Sequence, residues 1–422
     1  MHVLDLEAKK IKNSRNQETI EITIKTKHGL FQASAPEGAS KGENEVQGFS
    51  NEGIDKSIQF ANYVGHNIMI KERFEEFQDL KKIESIFKEV DKTSRLELTG
   101  GNTLYAIEAA VLKALAMSHQ EKELWQFLFD NENPTQKPKM PMQLGNCIGG
   151  GKHTREMEKP DFQEFLFLPT LNTFKESFDI NQKAYQETKK LLHKKDAKFK
   201  GKITDEKAFI TYLSNEEIFA LLSEVRESIS KKSGKTFELG TDIAASSFYD
   251  KKTKKYNYTN FDGKPRNLTE QEHLDYVFSL IKKYNLKYVE DPFHENDFDS
   301  FAKLLSKVKK EKLDTLIVGD DLTCTSPKLL AKAIIKKSIN AIIIKPNQIG
   351  SLLEMKKTLD LAEKNNIVPI ISHRSGETND DTLTHLAVGW QIPIMKIGIQ
   401  GEERFAKTKK LLDIEKKIKK FY

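Results

Sequence analysis

The sequence predicts a closed barrel of alternating strands and helices, preceded by a smaller domain of mixed α and β structure. Three observations carry this. Short apolar runs recur along the second half, each ending in a polar residue and most followed by a helical pattern. The end residues, Asp242, Glu290, Asp320, Lys345, His373 and Lys396, stand 48, 30, 25, 28 and 23 positions apart, and the last four steps fit one strand plus one helix. The first part lacks this rhythm and reads as an antiparallel strand followed by longer helices.

In chain order, Glu18 to Lys25 alternates polar and apolar residues, as a half-exposed antiparallel strand does. Asn102–Met117 sets Leu104, Ile107, Ala110 and Val111 at helical spacing. These elements make an α+β domain over residues 1–130. Asn131–Lys139 carries two prolines between polar flanks and reads as a linker, and the barrel takes residues 140–422. The first barrel step is long because it holds a hairpin-like insertion, Tyr249–Arg266. Thr269 and Glu272 form a capping box, after which Leu274, Val277, Phe278 and Ile281 fall at i, i+3, i+4 and i+7. Ser326-Pro327 is an N-cap followed by proline at the first helical position. Near-continuous apolar strands mean a parallel sheet covered by helices. A doubly wound sheet would gather functional residues at one switch point. A closed barrel brings every strand end to one mouth, and so accounts better for six of them.

Composition narrows the function. The 422 residues carry 68 Lys and Arg against 62 Asp and Glu, and a net charge of +6 does not imply a nucleic-acid binder. The densest basic run, Lys189 to Lys202, has seven lysines and reads as a solvated helix and loop. With 22 Gly, 12 Pro and 2 Cys, collagen-like, low-complexity and disulfide frameworks are excluded. Two widely separated thiols, Cys147 and Cys324, suggest a reducing compartment, and Cys147 reads as a small buried residue. The first residues lack a signal-peptide layout, and no apolar stretch approaches the roughly 18 residues of a membrane span. A cytoplasmic location is expected.

The strand ends suggest chemistry. Asp242, Glu290 and Asp320 offer three oxygen donors with no Cys or His partner, which suits a hard cation such as Mg2+. Asp291 and Asp321 stand beside two of them; salt bridges to strand-end lysines are the bland alternative. Lys345 and Lys396 end apolar strands, where desolvation favours the neutral amine that a general base needs. Ser372–Thr378 offers Arg374, Ser375 and backbone N–H groups as a clamp for phosphate or carboxylate. Gly149–His153 fails as a P-loop, since Asn146 and His153 stand where Gly and Ser/Thr belong; it reads as a loop bringing His153 to the site. Metal, base and clamp together point to proton abstraction beside a carboxylate, where cations must neutralise a dianionic enolate.

At these residues the chain resembles the enolase family over nearly its whole length. The matching segments are Pro36–Gly42, Asp161–Phe165, Asp242–Ser246, Val289–Phe293, Gly319–Thr323, Lys345–Gly350 and Ser372–Thr378. The resemblance implies an α+β capping domain and a modified TIM-type βα barrel, opening with an antiparallel pair near Pro141–Ile148 and Gln163–Leu168. It implies reversible dehydration of 2-phosphoglycerate to phosphoenolpyruvate, in line with the superfamily's use of a Lys or His base with one or two Mg2+. It assigns Asp242, Glu290 and Asp320 to the tighter Mg2+, with a second Mg2+ arriving with substrate near the phosphate and Ser40. Lys345 would take the C2 proton, and Glu206, aided by Glu164, would protonate the C3 hydroxyl. Arg374 and Ser375 would grip the phosphate and Lys396 would face the substrate carboxylate. Gln163 would support binding, and His153 and His373 would close over the site. A homodimer or higher homo-oligomer is also implied.

The acid's loop departs from the family's Gly-Asp-Glu-Gly-Gly: here it reads Thr204-Asp205-Glu206-Lys207-Ala208. Glycine supplies angles that Lys and Ala take only with strain, so another backbone path is expected there. Two alternatives stand beside the enolase reading. One is a non-catalytic binding or scaffold protein on the same fold. The other is another superfamily lyase, which would leave Arg374 without its phosphate.

Overall fold

The structure is a computed structural model and describes all residues except Ser40, Asn133, Pro134, Arg155, Met157, Glu158 and Tyr422. The alternating run does form an antiparallel strand, Glu18–Thr26, paired on one side with Asp5–Lys12 and on the other with Gly29–Ser34. Ile20, Ile22 and Ile24 are fully buried, because side chains two apart share a face. That face rests on the helix Gly101–Ser118. This helix buries residues around nearly its whole circumference, as a helix packed on both sides must. Its start lies against the barrel at Gly350, whose φ is +78°; a Cβ there would sit 2.8 Å from the Gly101 Cα. The helix Leu124–Glu132 continues two residues into the expected linker, anchored by buried Leu128 and Phe129.

Eight strands close the barrel: Met142–Gly149, Glu164–Leu168, Glu238–Asp242, Leu286–Glu290, Leu316–Gly319, Ala341–Ile344, Val368–Ser372 and Ile394–Lys396. Closure is parallel, with Ile394 opposite Met142 and Lys396 opposite Leu144. Glu164–Leu168 runs antiparallel to both neighbours, so the antiparallel opening pair is present. All the other barrel pairings are parallel. The interior is filled by Leu144, Leu166, Leu168, Tyr288, Val318, Ile343, Ile370 and Ile394, a packed core and not a pore. Functional side chains can therefore gather only above it, at the strand ends.

The helix signals hold. Thr269 and Glu272 form the reciprocal capping box, and Ser326 caps the helix that begins at Pro327. The insertion is a three-stranded sheet, Tyr249–Asp250, Lys255–Phe261 and Lys264–Thr269, one strand more than a hairpin. Among the described residues no helix is long and apolar enough to cross a membrane.

Candidate active site

Strand register sets the site. Glu164 and Glu290 each lie opposite Asp242, and Lys396 lies opposite Ser372, so residues distant in sequence end at one level. They surround a cavity of about 240 Å3 whose wall includes Gln163, Glu164, Glu206, Asp242, Asp320, Lys345, His373, Arg374 and Lys396. His153 and Ser375 also reach it. Glu290 is fully buried and joins through Lys396. Ser40 lies outside the described residues; its neighbours Ala39 and Lys41 line the cavity.

Lys396 is the centre of charge. Its Nζ stands 2.6 Å from Glu290, 2.9 Å from Glu164 and 3.1 Å from Asp242. Lys345 is ion-paired to Asp320, whose other oxygen accepts from Gln348 Nε2 at 2.9 Å. The expected neutral lysines are not what these contacts support. Burial pushes both amines towards neutrality, but Asp320 beside Lys345, and the three acids around Lys396, hold them above the ordinary lysine range. Desolvation was weighed in the sequence; the opposing Coulomb attraction depends on distances a sequence does not contain.

The acids carry the reverse imbalance. Burial, then the Asp242 charge, pushes the Glu290 carboxyl well up, and burial also raises Asp242. Asp320 is the exception: burial would raise it, but Lys345 holds it below the usual carboxylate range. Among the described residues Glu290 Oε1, which is buried, has no hydrogen-bond partner. Crowded oxygen donors with too little positive charge and an unsatisfied buried oxygen fit a hard divalent cation. The expected ligand trio is not, however, the tightest grouping. Oxygens of Asp291, Asp320 and Asp321 lie within 4.8 Å of one another, whereas Asp242 and Glu290 turn towards Lys396. Asp291 has a structural task as well, accepting from the backbone N–H of Asp320 at 2.9 Å and of Asp321 at 2.8 Å.

Elsewhere on the wall, His153, Glu164 and Glu206 bring potential ligand atoms within 4.8 Å of one another. His373 Nε2 is 3.8 Å from Glu206, and His153 Nδ1 is 3.8 Å from Glu164. Both carboxyls are buried, yet their environments separate them. Burial raises Glu164 despite Lys396. Burial would raise Glu206 too, but His153 and Arg404 hold it below the ordinary range. Burial and the Arg404 charge keep the His373 ring neutral. Two carboxyls pushed apart in this way can share one proton.

The loop holding Glu206 contains a strained residue. Lys207 stands at φ +62°, in the left-handed region that glycine enters freely, and Tyr185 donates to its carbonyl at 2.6 Å. A lysine thus carries the turn directly.

At the clamp, Arg374 is buried and forked on Glu45, with contacts at 3.0 Å to Oε2 and 3.3 Å to Oε1. Ser375 Oγ accepts from Ala39 N at 2.7 Å and Arg15 Nη1 at 3.3 Å. Glu37 and Gly376 exchange backbone hydrogen bonds at 2.8 and 2.9 Å, tying the chain at Glu37 to the clamp. Sequence reasoning missed Glu45 and Arg404, and gave Arg15, in the Ser14-Arg15 pair that the family resemblance retains near the entrance, no partner. Glu45 lies three residues past the matched Pro36–Gly42 segment, and its partner is 329 residues away. Cys147 is fully buried against Thr188, as expected of a packing residue.

Fold and site together define a class: a βα-barrel enzyme with buried charged groups gathered at the C-terminal strand ends. The comparisons narrow it. Residues 3–128 match the family model described as "Enolase, N-terminal domain", and residues 137–421 match "Enolase, C-terminal TIM barrel domain". A protein named Enolase from Methanosphaera stadtmanae is 39% identical over 98% of this chain and 97% of its own. Enolases of Methanothermobacter thermautotrophicus (36% identical; 98% of this chain, 96% of that one) and Thermoplasma acidophilum (34% identical; 97% of each) are similar. The chain belongs to the enolase family, and it is a hydro-lyase.

Proposed function

We propose that this chain catalyses the reversible, Mg2+-dependent dehydration of 2-phosphoglycerate to phosphoenolpyruvate, with Lys345 as base at C2 and Glu206 as acid at the C3 hydroxyl. One observation carries the reading: a lysine, a carboxyl pair and a buried arginine face a single small cavity from separate loops and strands. Asp242, Glu290 and Asp320 would hold the first cation. Bound there, with a second ion arriving with substrate, it would offset the charge that grows on the substrate carboxylate.

The remaining work falls to side chains. Lys345 must leave its Asp320 contact to accept the C2 proton, because that contact stabilises the ammonium form. Hydroxide is a poor leaving group, so C3 needs an acid. Glu206 would deliver the proton, drawing on Glu164, the member of the pair favoured to carry it. Lys396 would turn from its three acids to the substrate carboxylate. Arg374 offers a planar fork suited to phosphate, for which Glu45 now provides the carboxylate counterpart. Ser375 would join that grip, Gln163 would support binding, and His153 and His373 would close over the site with Ser40.

We read residues 1–130 as the cap and 140–422 as the barrel, in a cytoplasmic homodimer or larger homo-oligomer. Lys190, Lys195 and Lys202 of the basic run pair with Glu187, Glu224 and Glu156, which supports leaving nucleic acid out of the partners. The test is phosphoenolpyruvate formation from 2-phosphoglycerate with Mg2+ and then with a chelator. Chelator-sensitive turnover is expected; no turnover with Mg2+ present would overturn the proposal.

A further inference from the structure

Tyr288 stands two residues before Glu290 on the strand Leu286–Glu290, so both side chains leave the same face of the strand. That face is the barrel interior, where the Tyr288 ring packs in one cluster with Leu166, Val318 and Ile343. Its place depends on the neighbouring strand: a Cβ on Gly240 would lie 2.8 Å from the Tyr288 Cβ, so only glycine lets the ring fit. From there the phenol hydroxyl donates to Glu290 Oε2 at 2.5 Å. Neither residue is exposed to solvent.

The consequence is an asymmetric carboxylate. Oε2 is occupied by the Tyr288 hydroxyl and, at 2.6 Å, by the Lys396 ammonium. Among the described residues Oε1 has no partner. The two donors on Oε2 differ in permanence. Lys396 is shared among three acids and, on the proposed function, turns to the substrate carboxylate, whereas the phenol is locked in the packed interior. Ca2+ takes six to eight oxygens and often uses both oxygens of one carboxylate; Mg2+ takes six at shorter range and usually one per carboxylate. A carboxylate with one oxygen permanently engaged suits the second ion better than the first.

We infer that Tyr288 is a positioning residue for the cation site: its hydroxyl pins Glu290 Oε2, presents Oε1 alone, and so selects Mg2+ over Ca2+. This rests on the reading that Glu290 is a metal ligand. Outer partners of metal ligands commonly contribute 10- to 100-fold in affinity.

The experiment is Tyr288→Phe, which keeps the ring and its packing and removes only the hydroxyl. Binding of Mg2+ alone and Ca2+ alone is measured by calorimetry on the full-length protein without substrate, with circular dichroism to establish folding. Mg2+ affinity should fall about ten-fold while Ca2+ affinity holds or rises, so the Mg2+/Ca2+ preference drops at least ten-fold. Unchanged affinities, or equal losses for both ions, would overturn the inference, since simple loosening of the barrel would weaken both alike. If Tyr288→Phe does not fold, site-specific 3-fluorotyrosine at 288 keeps ring and hydroxyl but strengthens the donor. The Mg2+/Ca2+ preference must then shift, and a preference identical to that of the unmodified protein overturns the inference. Failure of the underlying reading looks different: the unmodified protein would itself bind no Mg2+.

Discussion

Replacing Lys396 with methionine removes one ammonium and leaves three buried carboxyls, Glu164, Asp242 and Glu290, without their shared counter-ion. At about 3 Å and an effective dielectric constant near 20, each contact is worth about 5–6 kcal/mol before desolvation. Much of that is offset by the cost of burying the charges. Measured losses on removing one partner of a buried pair are about 3–5 kcal/mol. For a domain of this size that corresponds to a fall of roughly 6–10 °C in the unfolding midpoint, at about 2 °C per kcal/mol. The loss should depend on pH. Without the lysine the acids are favoured only when protonated, so the variant should be least impaired near pH 4 and should lose ground as pH rises. Mg2+ should restore more stability to Lys396→Met than to the parent, because a cation at Asp242 and Glu290 neutralises the same charges. The assay is thermal unfolding by circular dichroism across pH, with Mg2+ or a chelator. A midpoint within 2 °C of the parent in chelator at pH 8 would refute the reasoning.

Other predictions follow from single contacts. Lys345→Ala should abolish exchange of the C2 hydrogen of 2-phosphoglycerate with deuterated solvent, followed by NMR; retained exchange would remove Lys345 as the base. Asp321 is held up to about 8 by burial and by Asp320, against an ordinary value near 4 in the unfolded chain. A raised acid stabilises the fold fully at low pH and loses that contribution as pH rises through 8, so metal-free protein should lose stability between pH 4 and 8. Asp321→Asn should flatten that slope, and an unaltered slope would contradict the assignment. Lys207→Gly should relieve the left-handed φ, worth about 1–2 kcal/mol, against about 0.5–1 kcal/mol of added unfolded-state entropy. A net gain of up to about 1.5 kcal/mol is expected in denaturant unfolding, and a net loss would show that Lys207 is not strained.

Much of the architecture could be read along the chain because its signals are local. Apolar runs of four or five residues, capping boxes such as Thr269 with Glu272, and steps of 23 to 30 residues are properties of adjacent positions, and the barrel followed from their repetition. The same locality placed Asp242, Glu290, Asp320, Lys345 and Lys396 at one mouth, since a strand end in a closed barrel has nowhere else to go. Boundaries were less legible. The helix Leu124–Glu132 runs two residues into the expected linker, and its buried Leu128 and Phe129 hold that last turn in the core.

Charge states and partners belong to the assembled molecule. Burial and nearby cations made Lys345 and Lys396 candidates for neutral amines, and neighbouring acids on other strands reversed the balance. Arg374 meets Glu45 across 329 residues, and Ser375 meets Arg15 across 360. Tyr288 shows the divide within one strand. Its two-residue spacing from Glu290 put both on one face, yet with a charged and an apolar residue on each face the spacing does not reveal which face is the interior. Residue types, spacing and strand ends are one-dimensional facts, so the chain alone determined them. Electrostatic energies fall with distance through space, and the fold alone sets those distances; it therefore decided which acid keeps a proton, which lysine stays charged and which oxygen is left free.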